Sequence, residues 1–131
     1  MRIAVTGASG LIGSALVPAL RDRGHEVLRL VRKPVTAPDE VRWEPVSGFV
    51  DPKTFVNIDG VVHLAGAGVG DHRWTDSYKA EIRSSRVLGT RTIATAMATL
   101  APQPQVLVCG SAIGYYGNTG DAPVTEKSPQ G

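Results

Sequence analysis

The chain has 131 residues, a length that fits a single domain. Hydrophobic residues make up 42% of it and charged residues 20%, which supplies enough apolar side chains for one core. The net charge of +2 comes from 14 basic and 12 acidic residues without a basic stripe or tail, so nucleic acid is excluded as an expected partner.

The sequence also shows no export or membrane signal. No apolar run approaches the roughly 20 residues of a membrane span, and the apolar stretch near Met1 is too short for a signal peptide. Cys109 is the only cysteine, so no intrachain disulfide can form. We therefore expect a soluble, cytoplasmic protein without a membrane partner.

The first third of the chain predicts a strand, a helix and a second strand. Short apolar runs at Arg2–Thr6 and Val27–Val31 are typical of buried strands. Between them, apolar residues at helical spacing predict a helix over Leu11–Arg23. We expect Pro18 to bend or weaken that helix and Gly24 to end it.

The middle third is less regular. The stretch Pro34–Phe55 is rich in Pro, Asp and Gly; here we expect an edge strand at Val41–Trp43 and then a short helix at Pro52–Val56. Gly60–Leu64 is apolar again and predicts a third buried strand. A loop of small residues follows it.

A long helix is predicted over Asp76–Leu100, with Trp74, Tyr78 and Ile82 four residues apart on one face. We expect Trp74, like Trp43, to be a packing anchor. This helix could pair with its counterpart in a second copy of the chain, which would make a homodimer.

The last part of the chain contributes one more predicted strand. The apolar run Val106–Cys109 is expected to be buried, with Cys109 as a small core residue, whereas Gly114–Gly131 forms no element that we can name. Strands that alternate with helices predict an α/β fold with a doubly wound parallel sheet. Since a dinucleotide-binding sheet needs two halves and the second has at most two strands here, residues 1–131 are expected to be the N-terminal portion of such a domain.

The glycine-rich segment Thr6–Gly13 lies where the first strand passes into the first helix. Gly7 permits the tight turn, Gly10 lets the backbone approach a pyrophosphate, and Gly13 allows close helix–strand packing. Free amides at the helix start, with the helix dipole, stabilise phosphate charge. The spacing GxxGxxG lacks the lysine of an ATP-binding P-loop and predicts a Rossmann-type dinucleotide site. The alternative is a glycine-rich turn that binds nothing.

A basic pair follows the second strand. Arg32 and Lys33 stand about 20 residues beyond the glycines, where NAD-specific proteins place an acidic residue on the ribose hydroxyls. A cation there favours a 2′-phosphate, so we expect NADP as cofactor, with NADPH preferred over NADH. The alternative is a solvated pair at a strand end.

Four segments together resemble the extended short-chain dehydrogenase/reductase superfamily, and most closely its atypical branch of NAD-dependent epimerase/dehydratase-like proteins, the epimerase family proteins. These segments are Thr6–Gly13, Val61–Gly66, Arg73–Arg86 with its RW…SR pattern, and Ser111–Gly117 with its GYYG pattern. The resemblance runs over nearly the whole chain. Because members of that branch are about twice this length, it implies an NAD(P)-binding domain whose C-terminal substrate-binding portion is absent.

The resemblance also implies roles for individual residues. The residues that match the family's cofactor-binding positions are Gly7, Ser9, Gly10, Leu11, Ile12 and Gly13 in the pyrophosphate loop, Arg32 at the 2′-phosphate, Leu64, Ala65 and Gly66 at the strand end, and Glu81 and Arg86 on the long helix. From the residues alone, Glu81 and Arg86 would be polar positions on a solvated helix surface.

The catalytic residues are only partly present. The superfamily transfers hydride with a tyrosine acid/base, a lysine that lowers its pKa and an orienting Ser or Thr. Ser111 matches the first polar position of that Ser/Thr motif, while Ala112 falls on the second, which generally supplies the hydroxyl. No tyrosine has a lysine four residues later, so we expect this chain alone to be inactive.

The residues present are compatible with two functions. The first is the NADP(H)-binding part of an epimerase/dehydratase-like oxidoreductase that acts on a small-molecule substrate which the sequence does not identify. The second is a non-catalytic NADP(H)-binding regulatory or sensor protein. We expect no metal site, since no Cys, His and Asp residues have ligand spacing, and we expect His63 to be a hydrogen-bonded core histidine.

Overall fold

The computed structural model describes the backbone of residues 1–131 and every side chain except that of residue 113. The elements in chain order are β1 (Arg2–Thr6), α1 (Leu11–Asp22), β2 (Glu26–Val31), β3 (Glu40–Glu44), β4 (Phe49–Val50), β5 (Gly60–His63), α2 (Asp76–Ala98) and β6 (Val106–Cys109), followed by a short 3₁₀-helix, Ile113–Tyr116. All five predicted strands and both long helices are present, with ends shifted by at most two residues, and β4 is a strand that the sequence did not predict.

The six strands form one sheet in the order β4-β3-β2-β1-β5-β6. All neighbouring pairs are parallel except β3 and β4. From β1 the chain first builds outward on one side through β2 and β3, and then returns to build β5 and β6 on the other side. The strand order therefore reverses between β1 and β5, and a crevice opens there at the carboxyl ends of the strands.

Each face of the sheet is covered by one helix. Alternate residues of β1 point to opposite faces, so their side chains belong to two separate cores. Ala4 belongs to the larger core, which includes Trp43, Phe55 and Ile93 of α2. Ile3 and Val5 belong to the smaller core with Val17 of α1. The predicted doubly wound α/β architecture is confirmed.

The first helix ends where its sequence predicts. Gly24 adopts a φ of +79°, a conformation that favours glycine. Its amide donates to the Arg21 carbonyl at 2.8 Å, and the His25 amide donates to the Leu20 carbonyl at 3.1 Å. The helix continues through Pro18, whose side chain is exposed.

The second helix begins at Asp76, as predicted, but only part of the predicted apolar face belongs to it. Thr75 is its N-cap, and the Thr75 hydroxyl accepts from the Tyr78 amide at 3.2 Å. Trp74 therefore lies before the helix and is 56% exposed, so only Tyr78 and Ile82 of the predicted face turn inward. Among the described residues, neither helix combines the length and the apolar character needed to cross a membrane.

The region after β2 differs from expectation in two ways. The strand predicted as an edge is β3, which lies one position inside, because β4 pairs with Trp43 and Glu44. The helix predicted at Pro52–Val56 is instead a turn. Asp51 stabilises that turn by accepting hydrogen bonds from the Lys53 amide and the Thr54 hydroxyl, while Phe55 enters the core at 2% exposure.

Strand β6 has the predicted ends but is not buried. It pairs only with β5, and within the described part of the chain nothing covers its outer edge. Val106 and Val108 are 44% and 51% exposed, and Cys109 is exposed as well. Within residues 1–131 the predicted burial of this strand and of Cys109 is not observed, because β6 has a neighbouring strand on one side only.

An ion-pair group joins β2 to α1 and to the residues before β3. The Asp39 carboxylate accepts two hydrogen bonds from Arg29, at 2.6 and 2.9 Å, and one from Arg21 at 2.5 Å. Hydrogen bonding to Arg29, reinforced by Arg21 and only partly opposed by burial, lowers the pKa of Asp39 to about 2. This carboxylate is thus ionised at any ordinary pH.

Replacing this carboxylate tests its contribution to stability. We expect Asp39→Asn to lower the free energy of unfolding by about 1 kcal/mol at neutral pH, since solvent screens a partly exposed pair. Because the folded pKa lies below the ordinary 3.8, the stabilisation is complete above about pH 4 and disappears as the pH falls towards the folded pKa. Urea unfolding at several pH values measures both effects. Exposed Asp121→Asn is the control, and a stability difference between Asp39→Asn and wild type that does not change with pH would contradict this assignment.

Candidate functional site

A cavity of about 660 Å³ lies at the crevice between β1 and β5. Three chain segments at the carboxyl ends of the strands form its walls. Its lining residues are Gly7, Ala8, Ser9 and Gly10 after β1, Arg29–Lys33 with Glu40, Trp43 and Pro45 beside β2 and β3, and Leu64–Gly68 with Asp71, His72, Tyr78, Glu81 and Ser85 between β5 and α2. Its size falls within the usual range for small-molecule and cofactor sites.

The first wall depends on backbone contacts that leave no room for side chains. Gly7 has a φ of +70°, and a Cβ there would lie 2.8 Å from the carbonyl carbon of Leu64. A Cβ at Gly13 would lie only 2.2 Å from the Gly7 carbonyl oxygen. The end of β1, the start of α1 and the end of β5 therefore pack backbone against backbone.

The start of α1 offers hydrogen-bond donors at this wall. No side chain caps the helix at Gly10, and the first amides of any α-helix lack partners within the helix. Leu11 and Ile12 are 93% and 64% exposed. Exposed amides at the positive end of a helix dipole form an anion site, and here the anion site adjoins a cavity.

A buried hydroxyl joins the two strands that border the crevice. The side-chain oxygen of Thr6, which is 0% exposed, accepts hydrogen bonds from the amides of Leu64 and Ala65, both at 3.1 Å. It also lies 2.7 Å from Nδ1 of His63. With two donors already directed at this oxygen, its own hydrogen is available for Nδ1, so the imidazole proton resides on the other ring nitrogen.

His63 is therefore a neutral structural residue. Burial lowers the pKa of its ring, and the ring packs edge-on against Trp43. A Cβ at Gly89 on α2 would approach the ring to 3.2 Å. The predicted role of His63 as a hydrogen-bonded core histidine is confirmed.

The second wall presents two cations in different surroundings. Arg32 is exposed and lines the cavity, and no carboxylate among the described side chains lies within 4 Å of its guanidinium. The ammonium of Lys33, by contrast, is 3.4 Å from the carboxylate of Glu40. A bound anion would meet Arg32 without competition from a nearby acid.

The third wall is a loop tied to α2 and to itself, and its bonds involve Trp74, Ser85 and Arg86 of the RW…SR pattern. The Ser85 hydroxyl accepts from the Ala67 amide at 3.0 Å, and Arg86 donates to the Ala67 carbonyl at 3.0 Å. The Trp74 indole donates to the Val69 carbonyl at 2.7 Å, and the Tyr78 hydroxyl donates to the Gly68 carbonyl. The motif therefore fixes a loop backbone at the cavity.

The surroundings of the Tyr78 hydroxyl favour its protonated form. Burial, together with the charges of Asp71 and Glu81, raises the pKa of the Tyr78 hydroxyl. His72 packs edge-on against the Tyr78 ring. In the described part of the chain, no group of three or more His, Cys, Asp and Glu residues is placed to hold a metal ion.

Most predicted cofactor-binding residues line one cavity. Those that do are Gly7, Ser9, Gly10, Arg32, Leu64, Ala65, Gly66 and Glu81. Leu11, Ile12 and Gly13 form the first turn of α1 and are not among the described lining residues. Only their backbone is suited to an anion. Arg86 lies outside the lining and packs its guanidinium against Gly66, where a Cβ would be 3.4 Å from it.

The predicted catalytic residue is separate from this group. Ser111 follows β6, is exposed and is not among the described lining residues, so its catalytic role stays a prediction. Sequence reasoning also missed Glu40, Trp43 and Pro45, which reach the cavity from β3 and just beyond it. No local motif marks these three, since their position depends on the register between β2 and β3.

The strand order reverses between β1 and β5, and the glycine turn and the uncapped start of α1 lie beside that point. Together these features define a nucleotide-binding domain of the Rossmann type. Residues 3–131 match the model of the NAD dependent epimerase/dehydratase family. The chain belongs to that family, as its motifs predict.

Relatives and solved structures agree with this membership. Epimerase family protein Mb2239 of Mycobacterium bovis is 41% identical over 129 residues, which is 98% of this chain and 42% of that protein. The crystal structure of human epimerase family protein SDR39U1 (isoform 2) with NADPH superposes with a TM-score of 0.84 at 32% identity, covering 99% of this chain and 43% of that one. MoeE5 in complex with UDP-glucose and NAD superposes with a TM-score of 0.74 at 29% identity, covering 99% and 42%. The chain thus spans less than half the length of the relatives that it matches.

The Thr6 hydroxyl provides a test of how the crevice is held. We expect Thr6→Val, which keeps the shape of the side chain, to destabilise the protein by about 2 kcal/mol, because the Ala65 amide and Nδ1 of His63 lose their partner. Urea unfolding measures the change.

Two variants complete this test. Thr6→Ser should restore most of the lost stability, and Thr90→Val on the exposed face of α2 is the matched control for the same substitution. A Thr6→Val protein as stable as wild type would show that the hydroxyl does not hold the two strand ends.

Proposed function

We propose that this chain is the NADP(H)-binding part of an epimerase/dehydratase-like oxidoreductase, and that it prefers NADPH to NADH. The observation that carries the proposal is the conjunction of the glycine turn, the uncapped start of α1 and Arg32 around one cavity. The human relative crystallised with NADPH supports the preference, whereas MoeE5, with NAD, represents the other cofactor.

The residues present fit a dinucleotide. The cradle at Gly7 and Gly13 admits no side chain, so a diphosphate can approach the backbone and accept hydrogen bonds from the amides at the start of α1. Arg32, whose guanidinium matches phosphate geometry, would hold the 2′-phosphate. The tied loop Leu64–Gly68 would line the adenosine and ribose side.

The nicotinamide of the bound cofactor supplies hydride exchange. In this proposal the chain's own residues bind and orient the cofactor, while Glu81 contributes a carboxylate at the α2 side of the cavity. Ser111 would orient substrate through its hydroxyl. The acid/base tyrosine and lysine of the superfamily have no counterpart in these residues, so this chain alone would bind the cofactor without turning over substrate.

One observation favours a second function, a protein that binds NADP(H) as a regulatory or sensing signal without catalysis. Ala112 replaces the hydroxyl that the family's motif generally supplies, and Ser111 lies outside the cavity lining. Under this alternative, the complete protein would bind NADPH tightly but would never oxidise it in the presence of candidate substrates, as followed by absorbance.

Titration with both cofactors tests the proposal. We expect NADPH to bind the chain more tightly than NADH, and we expect Gly10→Val to weaken both by about a hundredfold, since a branched side chain would occupy the place of the diphosphate. A Cβ at Gly10 meets only the Gly7 carbonyl, at 3.3 Å, so the fold should survive. Calorimetry measures the affinities, and circular dichroism checks the fold.

The matched control is Ala94→Val, which adds a valine on the exposed face of α2 and should leave both affinities unchanged. Equal affinities of wild type for NADPH and NADH would contradict the preference. Undiminished binding by Gly10→Val would show that the diphosphate is held elsewhere.

A further inference from the structure

A buried acid lies in the wall that carries the two cations. The Glu40 side chain is 2% exposed and lines the cavity. One of its oxygens, Oε2, accepts hydrogen bonds from the Thr36 amide at 2.8 Å and from the Thr36 hydroxyl at 3.1 Å. The other, Oε1, lies 3.4 Å from Nζ of Lys33 and 3.4 Å from a guanidinium nitrogen of Arg29.

This arrangement directs the carboxylate of Glu40 towards groups of its own chain. An acid near the end of β2 is what NAD-specific sites use to read ribose hydroxyls, but both oxygens of Glu40 already face donors of its own chain. Hydrogen bonding to Thr36 lowers the pKa of Glu40, with Lys33 adding to the effect and burial opposing it. The group is therefore a fixed negative charge directed at the loop.

The charge of Glu40 acts chiefly on Lys33. Arg29 lies 3.4 Å from the same oxygen, but its guanidinium makes a two-point contact with Asp39, a carboxylate that it shares with Arg21. Lys33 has no other carboxylate within 4 Å among the described side chains, and Arg32 has none at all. Of the two adjacent cations, one is thus neutralised and the other is free.

We propose that Glu40 is a specificity-determining residue of the nucleotide site, because it neutralises Lys33 and leaves Arg32 as the single cation that recognises a 2′-phosphate. The inference rests on the proposed function and deepens it. As a consequence, the selectivity for NADPH over NADH is limited to what one guanidinium contributes. An additional free ammonium beside Arg32 would widen that preference.

Substitution of Glu40 by glutamine separates its charge from its shape. The glutamine carbonyl can still accept from the Thr36 amide, so the loop keeps its main support, while Lys33 loses its counter-charge. The selectivity ratio, Kd for NADH divided by Kd for NADPH, isolates the effect, since the two cofactors differ only in the 2′-phosphate. A purely structural role for Glu40 would weaken binding of both cofactors alike and leave this ratio unchanged.

The experiment is a double-mutant cycle on the full chain, titrated with NADPH and NADH at low ionic strength to limit screening. We expect Arg32→Ala to reduce the selectivity ratio by about tenfold and Lys33→Ala to leave it within about twofold of wild type. We expect Glu40→Gln to raise the ratio by about fivefold. The double variant Glu40→Gln/Lys33→Ala should return to the wild-type ratio, because no ammonium is then released.

Lys53→Ala removes an exposed cation outside the cavity lining and is the control for net charge. A fall in the ratio on Lys33→Ala as large as that on Arg32→Ala overturns the inference. An unchanged or lower selectivity ratio for Glu40→Gln also overturns the inference. In both cases the proposed function stands as long as the wild-type chain binds NADPH. Absence of NADPH binding by the wild-type chain overturns the proposed function itself. If Glu40→Gln does not fold, the Lys33→Ala result alone decides, since that side chain is 61% exposed.

Discussion

Direct backbone packing at Gly7 is the constraint on which the site depends. The end of β1 must pass both the start of α1 and the end of β5 at distances that exclude even a methyl group, as the close approaches at Gly7 and Gly13 show. Because no side chain intervenes, the helix start stands at the mouth of the crevice with its amides uncovered. A larger residue at either glycine would push the helix away and close the anion site.

Side chains then fix the walls around this backbone core without filling the cavity. Thr6 holds the end of β5 through its hydroxyl, and the neutral His63 extends that contact towards α2. Ser85, Arg86 and Tyr78 hold the following loop by its backbone groups. Many polar groups near the cavity are therefore engaged in internal hydrogen bonds. Among the described residues, Arg32 is the arginine or lysine of the cavity lining that has no carboxylate within 4 Å.

The features that the sequence could predict are those encoded locally. The glycine turn, the adjacent strands and the basic residue after β2 are short-range patterns, and each lies where the fold requires it. Other features depend on contacts that the local pattern does not contain. The exposure of Val106 and Val108 follows from the edge position of β6 within these residues. Glu40 lines the cavity because the register between β2 and β3 places it opposite Arg29. The RW…SR pattern was recognised through a family resemblance, but its physical meaning, a set of bonds that hold a loop, required three dimensions.

A crystal structure of this chain grown with excess NADPH tests whether the glycine turn holds a diphosphate. We expect the diphosphate to lie over the turn at Gly7 and Gly10 and to accept hydrogen bonds from backbone amides at the start of α1. A nucleotide bound elsewhere, or a turn left empty at saturating NADPH, would contradict this expectation.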